Sequence, residues 1–190
     1  MKIVIKIKSL PETLALVALG MFLIASILDV TFYVQYMPRV FYKVVVAIAL
    51  FLLLIKESFK GKYEYKTLIG LITTILIYFI IGRVSSITSN IAVGLFFIYA
   101  LRDIPFKNVA KTSLIISVFL LSIVIIGAKT GVILNYLEVS GARVRSYLGF
   151  RYALFPSILL MNIVSIVFYL KQDRIQYWQW LLLAFSAIWV

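Results

Sequence analysis

Residues 112–128 read TSLIISVFLLSIVIIGA, a run of 17 residues without a charged side chain. Lys111 precedes the run and Lys129 follows it, so both of its ends are polar. A helix needs about 20 mostly apolar residues, within a range of about 17–25, to cross the hydrocarbon core of a bilayer. The run therefore predicts a membrane-spanning helix, and it decides the fold class of the chain.

Comparable runs recur along the whole sequence. The charge-free runs are 13–28, 44–55, 67–82, 84–101, 112–128, 153–170 and 175–190. A transmembrane β-barrel would instead show alternating segments of about ten residues, and the sequence has none. We predict an all-α, polytopic transmembrane helical bundle of about seven spans, formed by a single membrane domain over residues 1–190. The last residues, LLLAFSAIWV, stop inside an apolar run, which predicts a truncated seventh span and an N-terminal portion of a longer protein.

Composition excludes several functional classes. The chain is 64% hydrophobic and 14% charged, whereas a soluble domain is about 45–50% apolar and about 25% charged. It contains no histidine and no cysteine, which excludes imidazole acid–base chemistry, thiolate nucleophiles, zinc–thiolate sites and disulfides. We therefore predict no metal site and no cofactor. The net charge of +12 indicates membrane topology rather than a nucleic-acid partner.

The distribution of the cations predicts a cytoplasmic N-terminus. Lys and Arg accumulate in the inner loops of membrane proteins, and with the N-terminus inside, the inner segments hold 12 of the 19 cations.

One outer segment opposes this rule. Residues 129–152, which we call the arginine loop, carry one acid, Glu138. The cations of the loop are Lys129, Arg143, Arg145 and Arg151. We expect an anionic ligand at the outer leaflet to offset this excess, because the guanidinium fork matches phosphate and carboxylate oxygens. The alternative is a loop that anchors to lipid headgroups without any chemistry.

The local pattern inside the arginine loop leaves its geometry partly open. Residues 131–139 are apolar but interrupted, and they predict a short amphipathic helix in the membrane interface. Arg143 and Arg145 are two positions apart, so they face opposite sides of a helix but share one side of an extended segment. The extended geometry suits a single phosphate cluster better, and the sequence leaves both open.

Residues 143–150 read RVRSYLGF and lie directly before the sixth apolar run. This pattern resembles the Arg-rich stretch of Wzy-type polysaccharide repeat-unit polymerases, which serve O-antigen, capsule and exopolysaccharide synthesis in bacteria. The resemblance implies a longer multi-pass protein of the cell membrane. Members commonly continue with a His-Pro-Asn-like triplet, whereas this chain has Arg151-Tyr152-Ala153, so no histidine-dependent role is carried over.

The resemblance also implies an activity and partners. Such an enzyme transfers an undecaprenyl-diphosphate-linked oligosaccharide onto another repeat unit at the outer face of the membrane. Its partners would be the polyprenyl-diphosphate-linked glycan, the lipid bilayer, a flippase and a chain-length regulator. Preorganised arginines stabilise the charge that develops on a leaving diphosphate. We therefore predict diphosphate binding by Arg143, Arg145 and Arg151, with Lys129 and Arg83 as accessory cations.

Two carboxylates are candidates for the catalytic base. Glu138 is the acid of the arginine loop, and its alternative role is a solvated surface acid. Asp29 lies near the outer end of the first span, where ionisable groups are functional candidates. Its alternative role is an interfacial residue paired with a cation such as Arg39.

Three other functions stay open at this stage. A flippase or transporter of lipid-linked glycan would show inverted repeats and charges near the midplane. An O-antigen ligase-like protein shares the general design of the polymerase. A non-enzymatic membrane assembly protein would use the arginines only to hold lipid.

Overall fold

A computed structural model describes residues 10–59, 65–84, 88–140 and 143–171, and these are mostly helical. Among them, three helices are long and apolar enough to cross a membrane, namely α1, α5 and α6. The elements in chain order are α1 (Leu10–Asp29), a 3₁₀ helix (Phe32–Tyr36), α2 (Phe41–Ser58), α3 (Tyr65–Val84), α4 (Thr88–Ala100), α5 (Phe106–Lys129), β1 (Leu137–Ser140), β2 (Arg143–Ser146) and α6 (Leu154–Lys171).

These three helices follow the predicted runs 13–28, 112–128 and 153–170, so membrane-spanning helices are expected there by length and composition. The count of about seven spans is not confirmed in the described part of the chain. Helix α4 has 13 residues, about 20 Å at 1.5 Å per residue, against a hydrocarbon core of about 30 Å. The run 175–190 lies outside the described residues.

The end of α5 shows why the chain leaves the helix where it does. The backbone N–H and the hydroxyl of Thr130 both donate to the carbonyl of Ile126, each at 2.9 Å. Gly131 then takes a φ of +76°, a left-handed conformation that glycine adopts without steric cost. The Ile133 N–H donates to the Gly127 carbonyl at 3.1 Å. These bonds satisfy the Ile126 and Gly127 carbonyls in the last turn of α5, where the chain turns into the arginine loop.

The chain divides into two compact units. The first unit comprises Met1–Leu19 and Ile48–Val109, and the second comprises Gly20–Ala47 and Ala110–Val190.

A charged network lies inside the first unit, and we define it as Lys56, Glu57, Arg102 and Asp103. The Nζ of Lys56 lies 2.7 Å from Glu57 Oε1 and 3.2 Å from Asp103 Oδ2. Arg102 Nη2 lies 2.9 Å from Glu57 Oε2. The Lys56 side chain is only 3% exposed, so this lysine is not one of the solvated loop cations that the topology count assumes.

The network also ends helix α4. Lys56 Nζ donates to the Ala100 carbonyl at 2.6 Å, and Arg102 Nη1 donates to the Tyr99 carbonyl at 2.7 Å. Cations near the last carbonyls of a helix complement its dipole and satisfy its unpaired acceptors. Burial by itself would raise the pKa of Glu57, but hydrogen bonds from Arg102 and Lys56 outweigh it and hold that pKa below its ordinary value.

Candidate functional site

The arginine loop is fastened to the end of α1 within the second unit. The Phe32 N–H donates to the Gly149 carbonyl, and the Arg151 N–H donates to the Val30 carbonyl, each at 2.9 Å. Thr31 between them is fully buried, and its hydroxyl donates to the Leu28 carbonyl at 2.8 Å. Two chain segments that the topology count assigns to the same side of the membrane therefore meet here.

The turn at residues 147–150 holds the loop in place. The Phe150 N–H donates to the Tyr147 carbonyl at 2.8 Å, and both central residues have positive φ, +48° at Leu148 and +84° at Gly149. A Cβ on Gly149 would lie 2.7 Å from Ile133 Cδ1 and 3.1 Å from Ala128 Cβ, so only glycine fits.

Phe150 completes this anchor. Its side chain is 1% exposed and joins a buried cluster with Val124, Ala128 and Ile133. Leu148, Gly149 and Phe150 belong to the stretch that resembles the polymerase motif. In the structure they anchor the loop, and Arg145 before them is exposed.

The prediction of an interfacial helix over residues 131–139 is wrong. The segment instead leads into β1, which pairs antiparallel with β2. The register places Glu138 opposite Arg145 and Ser140 opposite Arg143. The chain is therefore extended at the arginines, and positions 143 and 145 lie on the same face of β2. The hairpin is favoured over the interfacial helix because pairing between the strands satisfies backbone N–H and C=O groups. An interrupted apolar run would leave these groups unpaired.

Glu138 has a defined partner in this hairpin. It is half-buried and accepts a hydrogen bond of 3.0 Å from the Tyr147 hydroxyl. This hydrogen bond raises the pKa of Tyr147, since it favours the protonated phenol. Tyr136 packs edge-on against Tyr147, with ring centroids 5.0 Å apart. Glu138 is therefore held in a fixed position rather than being a freely solvated acid.

A pocket of about 550 Å³ lies between β2 and the start of α6. Its polar lining includes the exposed Arg145 together with Ser146 and Ser157. The apolar lining consists of Val144, Leu148, Ala153, Leu154 and Pro156. The first turn of α6 borders the pocket, and the N-terminus of a helix favours negative charge. The volume falls in the range of about 300–1,000 Å³ that is typical of ligand sites.

The other predicted residues are distributed around this pocket or away from it. Lys129 and Arg151 are exposed at the two ends of the loop, outside the described lining. Asp29 is the last residue of α1 and also lies outside the described lining. Arg83 belongs to α3, in the first unit, and its side chain lies outside the described residues, as does that of Arg143.

Sequence reasoning missed two features of the site. It did not find the role of α6, although Phe155-Pro156 marks a helix start by the preference of proline for the first turn. It also gave Tyr147 no role, because a tyrosine near a glutamate in sequence carries no signal until the hairpin register is known.

Comparisons with protein-family models, curated proteins and solved structures found no match to this chain.

Proposed function

We propose that this chain polymerises polyprenyl-diphosphate-linked oligosaccharide repeat units at the outer face of a bacterial cell membrane. The observation that carries the proposal is the pocket beside Arg145, where a cation, two hydroxyls and a helix N-terminus adjoin an apolar wall. A lipid diphosphate offers the complementary combination, with concentrated negative charge next to a hydrocarbon chain. The resemblance of residues 143–150 to the polymerase motif supports the same assignment.

The reaction forms one glycosidic bond and breaks one bond to phosphate. A hydroxyl of the acceptor glycan attacks the anomeric carbon of the donor, and the bond from that carbon to the diphosphate oxygen breaks. The hydroxyl proton passes to a base, and polyprenyl diphosphate leaves with the bonding electrons. Negative charge grows on the leaving oxygen, and a preorganised arginine stabilises it more strongly in the transition state than in the ground state.

The residues divide these tasks as follows. Arg145 binds the diphosphate, and Arg143 contributes from the same strand face. Arg151 and Lys129 raise the local positive potential. Glu138 is the candidate base, because the Tyr147 hydroxyl holds its carboxylate opposite Arg145 in the register. Both carboxylates lie outside the described lining of the pocket, and Asp29 is the weaker candidate because Glu138 belongs to the same hairpin as Arg145.

The proposal is tested in the host strain, where the gene for the unaltered protein is replaced by genes for full-length variants. Arg145→Ala should abolish long glycan chains while the protein level stays normal, because the leaving diphosphate loses its cation. Arg145→Lys should give an intermediate chain length, since it keeps the charge but not the planar fork. Lys107→Ala is the control, because it removes one positive charge at an exposed position, and it should leave the polymer unchanged. Unchanged polymer in Arg145→Ala would contradict the site assignment.

The same strains separate the rival functions. Loss of a polymerase leaves single repeat units that still reach the cell surface. Loss of a flippase keeps lipid-linked repeat units at the inner leaflet, and loss of a ligase leaves long polymer on its lipid carrier. For a non-enzymatic assembly protein, the purified full-length protein would fail to extend lipid-linked repeat units in vitro. Any of these three outcomes overturns the polymerase assignment.

A further inference from the structure

The hairpin formed by β1 and β2 has two chemically different faces. In a strand, successive side chains point to opposite faces. The register pairs Val139 with Val144 and Glu138 with Arg145. Val139 and Val144 therefore share one face with Leu137 and Ser146, while Glu138 and Arg145 lie on the other. The sequence alternation thus separates a mainly apolar face from a charged face.

The apolar face is uncovered in the structure. Leu137 is 56% exposed, Val139 is 70% exposed and Val144 is 66% exposed. Val132 and Leu134, which precede β1, are also exposed. A two-stranded hairpin is marginally stable in water, and contiguous exposed apolar surface marks a contact with protein or membrane. This face therefore needs a cover.

Chain connectivity indicates what covers it. The hairpin follows α5 and precedes α6, and both helices are long and apolar enough to cross a membrane. Helices that span a bilayer deliver the chain between them to the membrane surface. A short connection of this kind keeps the hairpin close to the headgroups.

Charge complementarity points the same way. The arginine loop carries four cations and one acid, and Lys129, Arg145 and Arg151 are exposed. Lipid headgroups present phosphates, which attract basic segments at the bilayer surface. The open edges of a two-stranded sheet keep the hairpin out of the hydrocarbon core, where unpaired backbone groups are too costly.

We propose that the hairpin of β1 and β2 lies flat in the headgroup region of the outer leaflet. Leu137, Val139 and Val144 insert among the uppermost acyl-chain carbons, as the apolar side chains of an interfacial helix do. Glu138 and Arg145 face water at the level of the lipid phosphates. Val144 also lines the pocket beside Arg145, but the test of this placement does not depend on polymerase activity.

Spin labelling tests the proposal directly, because the chain contains no cysteine and each new cysteine is a unique labelling site. Val139→Cys reports on the apolar face, and its neighbour Glu138→Cys is the matched control on the charged face. The labelled full-length protein is placed in vesicles of phosphatidylethanolamine and phosphatidylglycerol. Relaxation by oxygen, which concentrates in lipid, is then compared with relaxation by a water-soluble nickel chelate.

We expect oxygen to dominate at position 139 and nickel to dominate at position 138. Val144→Cys should repeat the result for position 139 from the other strand, which guards against misfolding of one variant. Nickel dominance at both positions would show that the hairpin stands in water and would overturn the proposal. Spin–spin broadening at position 139, or protection there from both reagents, would mean that protein covers the face, and this would overturn it as well.

Discussion

Two charged regions of this molecule use the same kinds of residue in opposite ways. In the charged network, Lys56 and Arg102 meet Glu57 and Asp103, and Lys56 is almost completely buried. In the arginine loop, Arg145 is exposed and lines a pocket. The first region is closed by its own counter-ions and backbone carbonyls, whereas the second presents its cation to an open space.

The difference shows what a cation count misses. The charged network pairs two cations with two acids, whereas the arginine loop has four cations and one acid, yet the topology rule counts the cations of both regions alike. A cation whose donors are all used by the protein has no capacity left for a ligand, while an exposed arginine beside a pocket keeps its planar fork available. The contacts show a structural role for the charged network, and we propose ligand binding for the arginine loop.

The largest effect on stability is expected from breaking the charged network. Lys56→Met retains most of the side-chain volume but removes the ammonium from Glu57, Asp103 and the Ala100 carbonyl. The loss of one partner from a buried ion pair costs about 3–5 kcal/mol. A large fall in the thermal unfolding midpoint in detergent is expected. Lys107→Ala removes an exposed cation and should change the free energy of unfolding by less than about 0.5 kcal/mol. Equal midpoints for the two variants would contradict the structural role.

A smaller loss is expected at the anchor of the arginine loop. Gly149→Ala places a Cβ against Ile133 and Ala128 at a positive φ, and backbone strain and overpacking together are expected to cost about 2–4 kcal/mol. Gly131→Ala is the matched control, because Gly131 also has a positive φ but has open space around its Cβ position. Gly131→Ala should therefore cost only the backbone term of about 1–2 kcal/mol. The difference in unfolding midpoint between Gly149→Ala and Gly131→Ala measures the cost of packing the extra methyl group at position 149. A larger loss of stability in Gly131→Ala would contradict the close packing around Gly149.

The smallest effect is a pH dependence of the charged network. The pKa of folded Glu57 lies below its ordinary value of 4.5, so its ion pairs stabilise the fold above that pH. This stabilisation is lost progressively as the pH falls below 4.5, because the unfolded state binds the proton first. Glu57→Gln should start from a lower unfolding midpoint and decline less over this interval. Parallel curves for the two proteins would show that Glu57 does not contribute.

Much of the helical framework follows from the sequence. Helices α1, α5 and α6 lie where long uncharged runs predict them, because a run bounded by charged residues has a defined length and a defined environment. The run at 44–55 also becomes part of a helix, but α2 includes Lys43, Lys56 and Glu57. Its uncharged stretch of about 12 residues would extend only about 18 Å, so it is short for a span.

The hairpin and the charged network could not be found in the same way. Residues 131–136 show neither a clear helical nor a clear strand period, and the alternation at 137–140 is too short to select a strand without its pairing partner at 143–146. Glu57 and Arg102 are 45 positions apart, so no local pattern links them. Arg145 was predicted as a site residue from the excess of cations in the loop and from the motif resemblance. Its pocket depends on α6, which the local pattern of the loop does not specify.

The account is tested most directly by the affinity of the purified full-length protein for a polyprenyl diphosphate. Arg145→Ala should weaken binding by about ten-fold to a hundred-fold, because a charge-assisted hydrogen bond is worth about 1.5–3 kcal/mol. Its unfolding midpoint should stay unchanged, in contrast to Lys56→Met. Lys107→Ala should bind as the unaltered protein does. Equal affinity of Arg145→Ala and Lys107→Ala would contradict the assignment of ligand binding to the arginine loop.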